Sequence, residues 1–136
     1  MIARPMRRRG LLVALPIAAL ALHLAFLDGY GWFRDEFYYV ACARHLAWGY
    51  VDQPPFSIAV LWVVLKIAGP ALAAIRLVPA ACAALTVLVT GLLARELGGG
   101  RYAQALAMSL AALLPVYLAI DVFYSMNALD IVVWGY

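Results

Sequence analysis

From Leu11 to Leu27 the chain carries no Asp, Glu, Lys or Arg, and Arg4, Arg7, Arg8 and Arg9 stand just before it. Two more uncharged apolar runs follow, at 77–94 and 102–120, and a fourth begins near Leu129. These runs constrain the chain more than any other feature. A helix rises 1.5 Å per residue, so roughly 17 or more apolar residues reach across about 30 Å of bilayer hydrocarbon. A soluble domain of 136 residues, 68% of them hydrophobic, could not cover that surface, because small folds leave much of their area in water. The sequence therefore predicts an all-α, polytopic membrane protein.

Charge sets its orientation. The net charge of +3 would elsewhere suggest an acidic partner such as nucleic acid, but most cations flank apolar runs, so topology explains them and no nucleic-acid partner is expected. The leading arginines hold the N-terminus in the cytoplasm. Ala19-Leu20-Ala21 offers small residues for a signal-peptide reading of 11–27, but the run continues without a polar cleavage region. Either way, residues after Leu27 emerge outside.

The exterior stretch holds two candidate surface helices, 35–48 and 56–68. The first starts with acids, lacks proline and stops at Gly49, among interface-seeking rings such as Tyr30, Trp32, Tyr38, Tyr39, Trp48 and Tyr50. The second runs from Pro54-Pro55 to Gly69-Pro70 and is too short to span comfortably. If it crossed, Arg95 and Arg101 would lie outside. If it does not, spans at 77–94 and 102–120 return those arginines to the cytoplasm, which the positive-inside rule prefers. Arg4, Arg7, Arg8, Arg9, Arg95 and Arg101 are then inside with Glu96, whereas Asp28, Asp35, Glu36, Asp52, Asp121 and Asp130 are outside. The fourth span, 129–136, reads as cut short, so a longer parent protein is expected.

Three exterior features could carry chemistry. Arg34-Asp35-Glu36-Phe37-Tyr38 opens a helix with two carboxylates, Asp130 opens an apolar run, and Asp52-Gln53-Pro54-Pro55 precedes the second surface helix. Helix-start solvation and capping account for such acids equally well locally. Cys42 and Cys82 fall in separate segments and predict no disulfide, while His23 and His45 suit packing or interfacial roles better than metal ligation.

In order, these pieces resemble the N-terminal region of GT-C glycosyltransferases, in the branch of protein O-mannosyltransferase-like and aminoarabinose transferase-like enzymes. The resemblance covers roughly 28–136. It implies an enzyme taking sugar from a polyprenyl-phosphate donor to a lipid, glycan or protein acceptor on the exterior face of the cell (inner) membrane. It also implies that Asp35 acts as catalytic base or acceptor-orienting carboxylate, supported by Glu36 and Asp130, with Pro54 and Pro55 lining the site. Arg34 and Tyr38 belong to the same motif, as substrate-binding candidates. The aminoarabinose branch commonly has lysine where this chain has Gln53, which leaves Lys66 or Arg76 to meet the phosphate. No cofactor is expected, and a divalent metal stays open. The chemistry agrees: phosphate is a good leaving group, so the main need is a carboxylate to take the acceptor's proton and cations to steady the phosphate. A transporter or non-catalytic scaffold is the rival. Transporters usually carry functional acids within spans, and the clear spans here have none.

Overall fold

A computed structural model describes residues 10–29 and 31–135. Among them the chain forms seven helices and no strand: α1 (Gly10–Ala25), α2 (Arg34–Arg44), α3 (Pro55–Ala68), α4 (Leu72–Glu96), α5 (Arg101–Leu113), α6 (Pro115–Ile120) and α7 (Met126–Trp134). The leading arginines, Tyr30 and Tyr136 lie outside the described residues.

Helix α4, 25 residues long, is the axis of the fold and the one described helix long and apolar enough to cross a membrane. At 1.5 Å per residue it extends about 37 Å. Helices α1, α3, α5 and α7 all pack against it. Leu12 near the start of α1 lies against Gly91 late in α4, while the Leu27 carbonyl just after α1 meets Arg76 early in α4. The two helices therefore run antiparallel. Helix α7 starts beside Tyr39 and by Gly135 has come to Val89, so it runs in the same direction as α4.

Two buried clusters divide the interior. One gathers Leu12, Ala19, Val87, Met108 and Ala111 from α1, α4 and α5. Gly91 makes this approach possible: a Cβ there would collide with Met108 and come within 2.9 Å of Leu12 Cδ2. The other joins Tyr39, Val40 and Ala43 of α2, Ile58 and Leu61 of α3, Ile75 of α4 and Tyr124 from the α6–α7 turn. Together they form a cap over one end of the bundle. Both cysteines are free.

The helix ends follow local chemistry. Pro55 occupies the first turn of α3, where its missing N–H costs nothing, and Gly69 ends the helix at φ +73°. At the end of α4, Gly98 adopts φ +82°, and the Gly98 and Gly99 N–H groups donate to the Arg95 and Ala94 carbonyls at 3.0 and 2.8 Å. Other boundaries differ from expectation. Helix α2 stops at Arg44 instead of residue 48 because the Tyr50 hydroxyl folds back on its end, donating to the His45 carbonyl at 3.2 Å and accepting the Ala47 N–H at 2.9 Å. The run 102–120 is two helices, not one. Pro115 forces Leu114 to an extended ψ of 131°, since the proline ring excludes helical backbone before it. Helix α4 begins at Leu72, before the expected 77, so Arg76 lies inside the helix.

Candidate active site on the acidic end

The antiparallel packing brings the α1–α2 link, the start of α4, the α6–α7 turn and the start of α7 to one end of the bundle. Asp28, Asp121 and Asp130 belong to these segments. Asp35 and Glu36 open α2, which Glu36 bonds to Arg76 and Tyr124 among them, and Tyr38 ties Asp52 to the group. Arg95, Glu96 and Arg101 occupy the opposite end, at the α4–α5 turn.

Glu36 is the hub of this end. Its Oε1 accepts Arg76 Nε–H at 2.9 Å and the Tyr124 N–H at 3.1 Å. Its Oε2 accepts Arg76 Nη2–H and the Phe33 N–H, both at 2.9 Å. Arg76 also donates to the Leu27 and Gly31 carbonyls, each at 2.7 Å. Glu36 is 0% and Arg76 1% exposed. Two-pronged pairing and filled lone pairs offset the large cost of desolvating both charges. Every lone pair that Glu36 could lend to a substrate hydroxyl is occupied. Likewise, Arg76 is not at the surface to meet a phosphate. The sequence grouped Glu36 with Asp35 and offered Arg76 for phosphate; the fold sets them against each other as the bolt of the cap.

Asp35, one residue earlier, turns outward. Its carboxylate is 42% exposed and takes Arg34 Nε–H at 3.2 Å. Asp52 accepts the Tyr38 hydroxyl at 2.8 Å, a bond that, ahead of lesser causes, pushes the Tyr38 phenol up to about 12. Asp130 does not start its helix. Helix α7 begins at Met126, after Ser125, so Asp130 lies half-buried in the second turn and capping cannot explain it. Tyr39 links α2 to α7: its hydroxyl accepts the Met126 N–H at 2.9 Å and its ring meets Tyr124 edge-on at 5.5 Å. Burial raises the Tyr39 phenol first; the charges of Asp35, Asp52 and Asp130 then add to it, against the opposing Met126 N–H. Three carboxylates from three segments thus act on one tyrosine.

The remaining candidates separate. Pro54 and Pro55 begin α3 beside the acids, and Tyr124 locks that start by donating its hydroxyl to the Ser57 carbonyl at 2.6 Å. Gln53 is buried and contacts Cys42 Sγ at 3.8 Å instead of facing outward. Lys66 sits near the far end of α3, about 16 Å along the helix from Pro55, with its ammonium 5.7 Å from the Trp62 ring centre. Among the described residues no three His, Cys, Asp or Glu side chains are placed to hold a metal ion.

No known protein family, curated protein or solved structure matches the chain. The geometry alone therefore ranks the acids. It adds one that the sequence treated only as an exterior loop residue, Asp121. Its side chain is buried, and this desolvation raises its carboxyl to about 7. The only sequence cue was an acid directly after an apolar run.

Proposed function

We propose that the protein is a multi-pass membrane glycosyltransferase that works at its acidic end, with that end exterior and the N-terminus cytoplasmic. The observation that carries this reading is that hydrogen bonds from Tyr38 to Asp52 and from Met126 to Tyr39 gather the segments bearing Asp52 and Asp130 around α2 at one end of the bundle, where Asp35 stays 42% exposed. Fully exposed Trp48 and Val51 in the loop beside them suit a segment seated in the membrane interface, where a polyprenyl-phosphate sugar presents its head group.

In this reading Asp35 accepts the proton of an acceptor hydroxyl. The hydroxyl oxygen attacks the anomeric carbon from the face opposite the phosphate, the sugar–phosphate bond breaks, and the polyprenyl phosphate departs with the electron pair, leaving an inverted linkage. Asp35, with its side chain 42% exposed, can reach an incoming hydroxyl, while the more open Asp52 is held by the Tyr38 hydroxyl. Asp130 orients the acceptor, while Glu36 and Arg76 hold the start of α2 in place. Arg34, Tyr38, Pro54 and Pro55 border the site, and Lys66 is the remaining candidate of the group for the donor phosphate.

Asp35→Asn in the natural protein is the test, read as sugar released from a polyprenyl-phosphate donor by membranes carrying equal amounts of protein. A fall of about 10²–10⁴-fold is expected for loss of a general base. Undiminished transfer with normal insertion would sink the assignment.

A further inference from the structure

At the end of the bundle away from the acids, a cavity of about 500 Å³ is lined by Arg95, Gly98, Gly99, Gly100, Arg101 and Gln104. Among the described residues neither arginine forms an ion pair. Both arginines are exposed residues of the cavity wall, and no carboxylate stands in its lining.

The backbone adds to that charge. Three carbonyls of the last turn of α4 are taken, since Leu97, Gly98 and Gly99 donate to Leu93, Arg95 and Ala94. The α5 ladder starts with Gln104 N–H to the Gly100 carbonyl at 3.0 Å, so the first-turn N–H groups of Arg101, Tyr102 and Ala103 have no helical acceptor. No acid occupies that turn. Gln104 spends its amide on the Gly99 carbonyl at 2.8 Å, which keeps the glycine turn in shape. An unshielded helix start and two planar guanidiniums match a group with several anionic oxygens better than a lone carboxylate.

We propose that this cavity binds a phosphate group. The proposal stands apart from the sugar-transfer reading, whose residues lie at the other end of α4. A lipid head group and a soluble phosphate share the chemistry, and the experiment separates them. The full chain is held in neutral detergent micelles, and its melting temperature is followed against added inorganic phosphate, with chloride at matched ionic strength as control. A second arm adds phosphatidylglycerol, with phosphatidylcholine as control.

Stabilisation in the first arm assigns a soluble phosphate, and stabilisation confined to the second assigns a lipid. In either case Arg95→Gln and Arg101→Gln should each weaken the apparent affinity about tenfold, as loss of a charge-assisted hydrogen bond does. Arg44→Gln, which removes an exposed cation elsewhere, should leave it unchanged. The proposal fails if neither arm exceeds its control, or if Arg44→Gln weakens binding as much as the cavity variants.

Discussion

The bundle holds α4 by packing alone, and the cap holds it by packing and directed bonds together. In the bundle, α4 meets α1 and α5 through Leu12, Ala19, Val87, Met108 and Ala111, with Gly91 letting the chains close. That contact is shape and dispersion. In the cap, α4 is gripped by Arg76, which reaches Glu36 and two backbone carbonyls, while Tyr124 and Tyr39 fasten the α6–α7 turn and the start of α7 to α2 and α3. The cap adds these directed bonds to its own apolar cluster of Val40, Ala43, Ile58, Leu61 and Ile75. Directed bonds fail abruptly when one partner goes, whereas packed surfaces yield by degrees.

The sharpest way to break the contrast is at its hub. Glu36→Ala should destabilise the fold by about 3–5 kcal/mol, the cost of leaving a buried arginine without its charge partner. Denaturant unfolding in micelles measures the loss, and faster thiol labelling of half-buried Cys42 would locate it in the cap. Glu36→Leu with Arg76→Met removes both buried charges and should recover only part of it, because the Phe33 and Tyr124 N–H groups and the Leu27 and Gly31 carbonyls lose their partners; full recovery would mean that these backbone bonds contribute little.

Gly91→Leu probes the bundle. Overpacking against Met108 and Leu12 should cost about 1–3 kcal/mol, and Met108→Ala in the same chain should return part of that. If Gly91→Leu alone is neutral, the close approach is not what holds α1 and α5 to α4.

A third effect depends on pH. The Asp121 carboxyl ordinarily titrates near 3.8 and is raised to about 7 in the fold by burial. The fold thus favours its protonated form. Its contribution is fully present below pH 3.8 and is lost as pH rises through about 7. Melting temperatures should fall across that window, and Asp121→Asn should flatten the slope. An unchanged slope would show that another group sets it.

The smallest change is expected at the α5–α6 break. Pro115→Ala restores an N–H and frees Leu114, so 101–120 should gain a continuous helix for less than about 1 kcal/mol. A spin-label distance between positions 106 and 118 would show it.

Much of this was written locally. Pro54-Pro55, Gly69-Pro70 and Gly98-Gly99 mark where helices start and stop because proline and glycine act on their own backbone. The break at Pro115 was visible too, but membrane helices tolerate proline when neighbours take up the freed groups, and here Leu114 bends instead. Partners distant in the chain were not legible. Nothing beside Glu36 names Arg76, and nothing beside Asp130 says that α7 begins four residues earlier. The early end of α2 depends on a hydroxyl from Tyr50, beyond the reach of a periodicity argument. Among the acids, the sequence supplied the side of the molecule they share; burial alone separated the bolt, Glu36, from the open carboxylate, Asp35.

The Glu36 carboxylate also sets a timetable. Its arginine partner follows it by 40 residues and its last backbone donor, Tyr124, by 88. At synthesis rates of about 5–20 residues per second, the carboxylate waits roughly 4–18 s after leaving the ribosome's active centre before that final donor is even made. Through that interval the acid is either hydrated or held by Arg76 and the Phe33 N–H. The cap therefore closes only after α4 is in place and the α6–α7 turn has followed it.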